Sequence, residues 1–373
     1  MNRKITHIIN LIMIFNFVLS NDLIHEFTFL STGNVHGETD PCGWKKKPLG
    51  GLARKATLVD QIKQKKDDVL IFDAGNLFFK SATSNPGLTQ SVVKETAKSI
   101  ASCFNEIGCD AFSPGENDFA VGLNFLLELK ESSNFQFISA NIYNLANQLL
   151  FDEYKIFDKD GIKIGVIGLS SNFLSDEIII KDPYETLNKL VPQLEHNTDF
   201  IVVLFSSVET DIAKIKQSSL PIDLIIRSKS RKKSNDGGNG KIPIYSIGDR
   251  GKHLYQFDIT EKIKGEAFED IAKYKNKMKS AEKRLNKMKN GNMVMDLHSY
   301  YQDDKQTLDK VENYELQIEE SLIALNNAIN ILEVKHYHLD KSIDSRPDIL
   351  KIIDKGKQKI ISLSTPELPS IVE

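Results

Sequence analysis

Eight histidines and three cysteines are spread over 373 residues, so any chemistry rests on a few positions. His36, Glu116 and Asp118 could share a single cation, because one imidazole and two carboxylates make a mixed nitrogen and oxygen donor set. The same three side chains also suit a polar loop cluster at a sheet edge. Arg227, Lys229 and Arg231, with Lys232 and Lys233 behind them, form a basic loop that could take an anion through charge-assisted hydrogen bonds. The run Ser234-Asn235-Asp236-Gly237-Gly238-Asn239-Gly240 follows directly, so that loop suits solvent equally well. Ser206-Ser207 has no base motif beside it, which leaves a serine nucleophile unsupported. His336-Tyr337-His338 falls in a stretch that reads as helix, where residues two apart face different sides, so it is not a good ligand pair. Trp44, between Cys42-Gly43 and Lys45-Lys46-Lys47, is expected to pack under the domain rather than to face a partner.

The elements that must position these residues are legible as apolar runs. Phe27 to Leu30, Val69 to Phe72, Cys109 to Phe112, Phe135 to Ile138, Ile162 to Leu169, Phe200 to Phe205 and Ile222 to Ile226 read as strands. Residues 50–65 and 90–107 read as helices between them. Nearly continuous apolar strands alternating with helices imply an α/β protein whose sheets are covered on both faces. The glycines Gly161, Gly165 and Gly168 lie within or at the start of such a strand and do not form a dinucleotide loop. Composition changes after Thr260. Ile271, Tyr274, Met278, Ala281, Leu285 and Met288 are spaced by threes and fours, as are Leu308, Val311, Ile318, Leu322, Leu325, Ile329 and Leu332 apart from one longer gap. Asn290-Gly291-Asn292 separates the two seams, so a helical hairpin is expected. The expected organisation is a signal peptide over 1–20, an α/β domain over 21–260, the hairpin over 261–355 and a flexible tail over 356–373.

Bulk properties narrow the function classes. The chain is 40% hydrophobic and 27% charged with a net charge of -3, a globular composition with no overall attraction to nucleic acid. Asn2-Arg3-Lys4, the apolar run Ile8 to Leu19 and a cut near Ser20 read as an export signal, giving a periplasmic or secreted protein with no transmembrane span after cleavage. In an oxidising compartment Cys42, Cys103 and Cys109 could form one disulfide, of unassigned pairing.

Several segments, in order, resemble the metallophosphoesterase domain of the 5'-nucleotidase family, with its calcineurin-like fold. They are Ser31-Thr32-Gly33-Asn34-Val35-His36-Gly37, Gly50-Gly51-Leu52-Ala53-Arg54, Phe72-Asp73-Ala74-Gly75-Asn76, Gly115-Glu116-Asn117-Asp118-Phe119, Ser139-Ala140-Asn141-Ile142 and Gly161 to Leu169. The resemblance covers roughly residues 26–258 and implies a layered β-sandwich flanked by helices. It also implies where a pair of divalent metals (Mn, Zn or Mg) would sit. The family's first Asp is Asn34 here, its His is kept as His36, its bridging Asp is Asn76 and its Asn ligand is Glu116. The catalytic His position holds Asn117. Ser206 or Ser207 stands near the place of an isolated His, and the final His-x-His is Lys229-Ser230-Arg231.

Two-metal hydrolysis needs a bridging carboxylate and further donors that offset the charge of the two cations. An ammonium about 4 Å from a dication, at an effective dielectric of 20, is repelled by roughly 8 kcal/mol. The expectation is therefore a binding or scaffold module with no cofactor, a pseudoenzyme, whose partner is an envelope protein or an anionic ligand. It could form a homodimer through its hairpin. The alternatives are a divergent metal-dependent phosphohydrolase acting on nucleotides or other phosphate esters, and an anion binder using Arg227, Lys229 and Arg231.

Overall fold

The structure, a computed structural model, describes residues 24–364 apart from 45, 85 and 86. The expected signal peptide and the last nine residues lie outside the described residues. The first half runs β1 (His25–Thr32), α1 (Leu52–Lys63), β2 (Leu70–Asp73), α2 (Leu88–Ile107), β3 (Ala111–Phe112), a short 3-10 turn (Glu116–Phe119), α3 (Leu123–Glu131), β4 (Gln136–Phe137), β5 (Ile142–Asn144), β6 (Tyr154–Lys159), β7 (Ile162–Ser170) and β8 (Ile178–Ile180). The second runs α4 (Pro183–Glu195), β9 (Phe200–Ser206), α5 (Glu209–Lys216), β10 (Leu224–Ser228), β11 (Ile244–Ser246), β12 (His253–Glu261), β13 (Phe268–Asp270), α6 (Ala272–Met288), α7 (Leu297–Tyr300), α8 (Lys305–Asn327), β14 (Asn330–His338) and α9 (Pro347–Ser364).

Alternation within the strands builds the layers, because successive side chains leave a strand on opposite faces. One sheet has the order β13-β14-β12-β1-β2-β3-β4 and the other β11-β10-β9-β7-β6, with β5 and β8 paired separately. Phe27, Phe29, Leu70 and Phe72 of the first sheet meet Phe200, Val202, Leu204, Leu224 and Ile226 of the second in a shared core. Phe29 stacks on Phe257 at 4.8 Å, and Phe27 meets Phe200 edge-on at 5.6 Å across the sheets. The opposite face of the first sheet, through Leu30 and Ile71, packs on α1, α2, α3 and α9. Ile201, Val203, Phe205 and Ile225 carry the second sheet onto α4 and α5. The result is a β-sandwich covered by helices on both sides, as the sequence implies.

A polar chain crosses the first layer beneath the loops that follow β1 and β2. Lys55, fully buried in α1, donates to Thr32 Oγ1 at 3.0 Å, and Thr32 Oγ1 donates to Asp73 Oδ2 at 2.7 Å. Burial pushes Lys55 down to about 8 and pushes Asp73 up, while the attraction between them opposes both shifts.

The region after Thr260 departs from a separate hairpin. α6 and α8 do pack together, with Lys277 and Glu320 paired at 2.7 Å, and Ala281 and Val311 are buried along the seam. The second seam, however, ends before Ile329 and Leu332. Residues 330–338 form β14, which pairs antiparallel with β12 over eight residue pairs and buries Leu332 in the inter-sheet core. The helix α9 reaches Ser364 and so takes in the first nine residues of the expected tail. It buries Ile349 and Ile353 against the first core, and Arg346 just before it bonds Asp60 at 3.1 Å. Residues 261–364 therefore complete the first domain as well as carrying the hairpin.

Two smaller expectations also change. All three cysteines are free, with Cys103 and Cys109 buried in the apolar core, where burial pushes the Cys103 thiol up to about 12. Trp44 does not pack beneath the domain but is 76% exposed. No described helix is long and apolar enough to cross a membrane.

Removing residues 261–373 strips β12 of its outer neighbour and uncovers the α1–α2 face. Such a truncation is expected to lose its cooperative thermal transition, measured by circular dichroism; a sharp melt within a few degrees of the full chain would contradict this packing.

Candidate functional site

The loops after β1, β2, β3, β9 and β10 and the turn before β12 meet at one end of the sandwich. The first two are laced by backbone bonds: Asn34 N–H donates to the Gly75 carbonyl at 2.8 Å, His36 N–H to that of Asn76 at 2.9 Å and Gly37 N–H to that of Leu77 at 3.0 Å. Ser228 Oγ donates to the Ala74 carbonyl at 2.6 Å and joins the second sheet to the first. Asn34, His36, Asn76 and Lys229 all have positive φ, at 53°, 58°, 55° and 70°. Asparagine and histidine adopt this region more readily than most residues, whereas a lysine there is strained, and such strain gathers where side chains must be aimed.

Five of the residues singled out by sequence form one connected network. Asn34 Oδ1 accepts from the backbone N–H of Lys229 at 2.8 Å and from Asn76 Nδ2 at 3.3 Å. Its Nδ2 donates to the carbonyls of Ser230 at 2.9 Å and Gly248 at 2.7 Å, so the buried amide has no donor to spare. Asn76 Oδ1 accepts from the backbone N–H of Asn117 at 3.1 Å, and Asn117 Nδ2 donates to the Phe79 carbonyl at 3.2 Å. Lys229 Nζ donates to Glu116 Oε2 at 2.6 Å, with each side chain about 30% exposed.

The remaining candidates are placed differently. Asp118 is buried and turned into its loop, where it accepts from the backbone N–H groups of Asn76, Leu77, Phe78 and Gly115 at 2.8–2.9 Å. It is a loop clamp, not a ligand beside His36. Burial pushes its carboxyl up against the pull of those donors. His36 Nδ1 lies 3.2 Å from Asp249 Oδ1, a partner that sequence reading missed. Burial lowers the His36 pKa, Asp249 opposes the shift, and Arg231 and Arg250 add to it. Arg231 is exposed and within electrostatic reach of His36. Arg227 does not face an open anion site: its guanidinium is buried and bonds Glu209 at 2.9 Å and the Ser207 carbonyl at 3.0 Å. The hydroxyls of Ser206 and Ser207 are buried without a hydrogen-bond partner among the described residues.

The curated relatives match the chain in part. The 5'-nucleotidase of Vibrio cholerae is 32% identical over 185 residues, which is 47% of this chain and 32% of the relative. The 5'-nucleotidase of Homo sapiens is 28% identical over 257 residues, covering 61% of this chain and 43% of the relative. The chain thus matches about a third of the length of the first of these. No protein-family model matches it. Among solved structures, the calcineurin-like phosphoesterase YfkN of Bacillus subtilis superposes on 91% of this chain and 99% of its own with a TM-score of 0.61 at 16% identity. The NAD nucleotidase of Haemophilus influenzae covers 92% of this chain and 61% of its own with a TM-score of 0.60 at 15% identity.

Part of the chain is thus similar in sequence to 5'-nucleotidases, and its fold is that of a calcineurin-like phosphoesterase. The residues that the resemblance sets at four ligand positions and at the catalytic His (Asn34, Asn76, Glu116, Lys229 and Asn117) lie together in space, linked by hydrogen bonds.

Gly115 sits where the network is tightest. A Cβ there would stand 2.6 Å from Ser206 Oγ and 2.7 Å from Asn76 Oδ1, although φ of −108° suits any residue. Gly115→Ala is expected to lower stability by about 1–3 kcal/mol, and adding Ser206→Ala should restore part of it. Unchanged denaturant midpoints would show that the network is looser than described.

Proposed function

We propose that this site holds no pair of metals and that the protein is an exported, non-catalytic binding or scaffold module of the 5'-nucleotidase family. One observation carries the reading: the Lys229 ammonium sits 2.6 Å from Glu116, the carboxylate at a family ligand position. The donor set does not fit the metals that the family implies. A bridging position needs a carboxylate, and Asn76 offers a neutral amide whose oxygen already accepts an N–H. Asn34 Oδ1 already accepts from the Lys229 N–H and from Asn76 Nδ2, and Asp118 is committed to four backbone donors. An ammonium near a dication would oppose binding by roughly 8 kcal/mol at 4 Å. Export is supported by the charged start and apolar run of residues 2–19. Binding of an anion would rest on Arg231, because Lys229 and Arg227 are paired with Glu116 and Glu209. An envelope protein is the other class of partner. On α8, Leu316 and Ile323 share an open face and Leu322 is exposed at the edge of the packed one, which supports a homodimer through the hairpin.

A second reading is a divergent phosphohydrolase using Mn, Zn or Mg. It is favoured by the retained His36 beside the Asp249 carboxylate.

Chelator-treated protein supplied with Mn²⁺ or Zn²⁺ and a nucleoside monophosphate is expected to release no more phosphate than the His36→Ala variant. Turnover that disappears in His36→Ala would overturn the non-catalytic reading. A revertant carrying Asn34→Asp, Asn76→Asp, Glu116→Asn, Asn117→His, Lys229→His and Arg231→His is expected to gain Mn²⁺ affinity that the unaltered chain lacks. For the hairpin, sedimentation should show a dimer that Leu322→Glu/Ile323→Glu converts to monomer; identical sedimentation of the two proteins removes the dimer.

A further inference from the structure

β12 and β14 place three histidines on one sheet face. In a strand, residues two apart share a face, so His336 and His338 point the same way, and the register sets His253 opposite His338 and Tyr255 opposite His336. The three imidazole rings lie 4.6–4.9 Å apart between centroids. His336 Nε2 and His253 Nδ1 are 3.1 Å apart, and one nitrogen from each of the three rings can be taken so that all lie within 4.8 Å of one another. Nitrogen ligands around a tetrahedral zinc ion, at about 2.05 Å from the metal, are about 3.3 Å from each other. One edge of that tetrahedron is therefore already set, and the others must close by at most about 1.5 Å. His338 is exposed and has room to turn.

The surroundings keep two of the rings unprotonated. Burial, the neighbouring imidazoles and two lysines push His253 down to about 3, and burial with Lys233 and His338 pushes His336 down to about 4. Both rings are thus neutral at neutral pH with a lone pair available. Both lysine charges act on His253 and oppose a dication as they oppose a proton; Lys233 Nζ bonds Asn235 Oδ1 at 3.1 Å, and Lys252 Nζ extends to within 3.8 Å of where a Cβ on Gly43 would stand. Gly248 walls the cluster off from the family site. Its carbonyl accepts from Asn34 on one side, and a Cβ on it would stand 2.7 Å from the His253 ring on the other.

We propose that His253, His336 and His338 bind one divalent cation of the zinc class through three imidazole nitrogens, with the fourth position open to solvent. The cation clips β14 to β12 at the strand ends that lead into α9, so it stabilises the attachment of the C-terminal segment. The site owes nothing to the residues of the family site, and its readout does not involve turnover, so either reading can fail without the other.

Chelator-treated full-length protein is titrated with Co²⁺, and Zn²⁺ is then added in competition. The expected result is one Co²⁺ per chain with the visible absorption of a tetrahedral ion, displaced by Zn²⁺, and a melting temperature that rises with Zn²⁺. His338→Ala, a surface change, should weaken binding about tenfold or more, and His336→Ala should abolish it. His36→Ala should leave cobalt binding as it was. The proposal is overturned by failure to bind Co²⁺, by unchanged affinity in His338→Ala, or by loss of binding in His36→Ala.

Discussion

The loops at the site are held by carboxylates that point away from it. Asp73 accepts from the Gly75 N–H at 2.9 Å and from Thr32, and through Thr32 it is tied to the buried Lys55. Asp118 gathers four backbone N–H groups from the loops after β2 and β3. Removing either acid would leave buried donors unpaired, at about 1–3 kcal/mol each. Asn76 keeps its left-handed conformation between the Gly75 and Leu77 N–H groups that these clamps hold, and the Lys229 N–H is held in turn by Asn34.

That division of labour explains how a family site can change its facing residues and keep its shape. In a two-metal enzyme the ions themselves cross-link the loops. Here the cross-links are neutral: Asn34 joins the loops of β1, β2 and β10 to the turn before β12 through four hydrogen bonds. A carboxylate at the same position could not donate to the Ser230 and Gly248 carbonyls, so the amide is the better structural residue where no cation is present. On the proposed reading, the side chains at the ligand positions are the ones that the loops need when they must hold together unaided.

Legibility in the sequence followed the physics of each element. β7 and β9 were plain because their runs are apolar on both faces, and the site loops were plain because they follow such strands. β14 was not, because Ile329 and Leu332 continue the threes and fours of α8, and periodicity alone does not separate a helix end from a short strand. The misreading had a second consequence. Two histidines two apart diverge on a helix and converge on a strand, so taking His336-Tyr337-His338 as helical hid its partnership with His253. The partners of His36 and Arg227, Asp249 and Glu209, are distant or unmarked in sequence, and nothing in spacing announces them. Asp118 lay in a recognisable motif, but whether a carboxylate faces a ligand or its own loop depends on backbone N–H directions that a sequence does not carry.

Lys229 then poses an energetic question. A left-handed conformation costs a residue with a Cβ roughly 1–2 kcal/mol, and a half-exposed ion pair returns about 0–1 kcal/mol. Glycine at this position would relieve the strain and give up only the pair with Glu116. Stability therefore gives no reason for a lysine here. What the lysine does that glycine cannot is place a positive charge on Glu116, which on the proposed reading makes a ligand position hostile to a metal ion even though an oxygen donor remains. On the proposed reading the ion pair is a stopper. It neutralises a carboxylate that would otherwise attract cations, and it holds the loop after β10 against the loop after β3 in the arrangement that a bridging ion would otherwise impose.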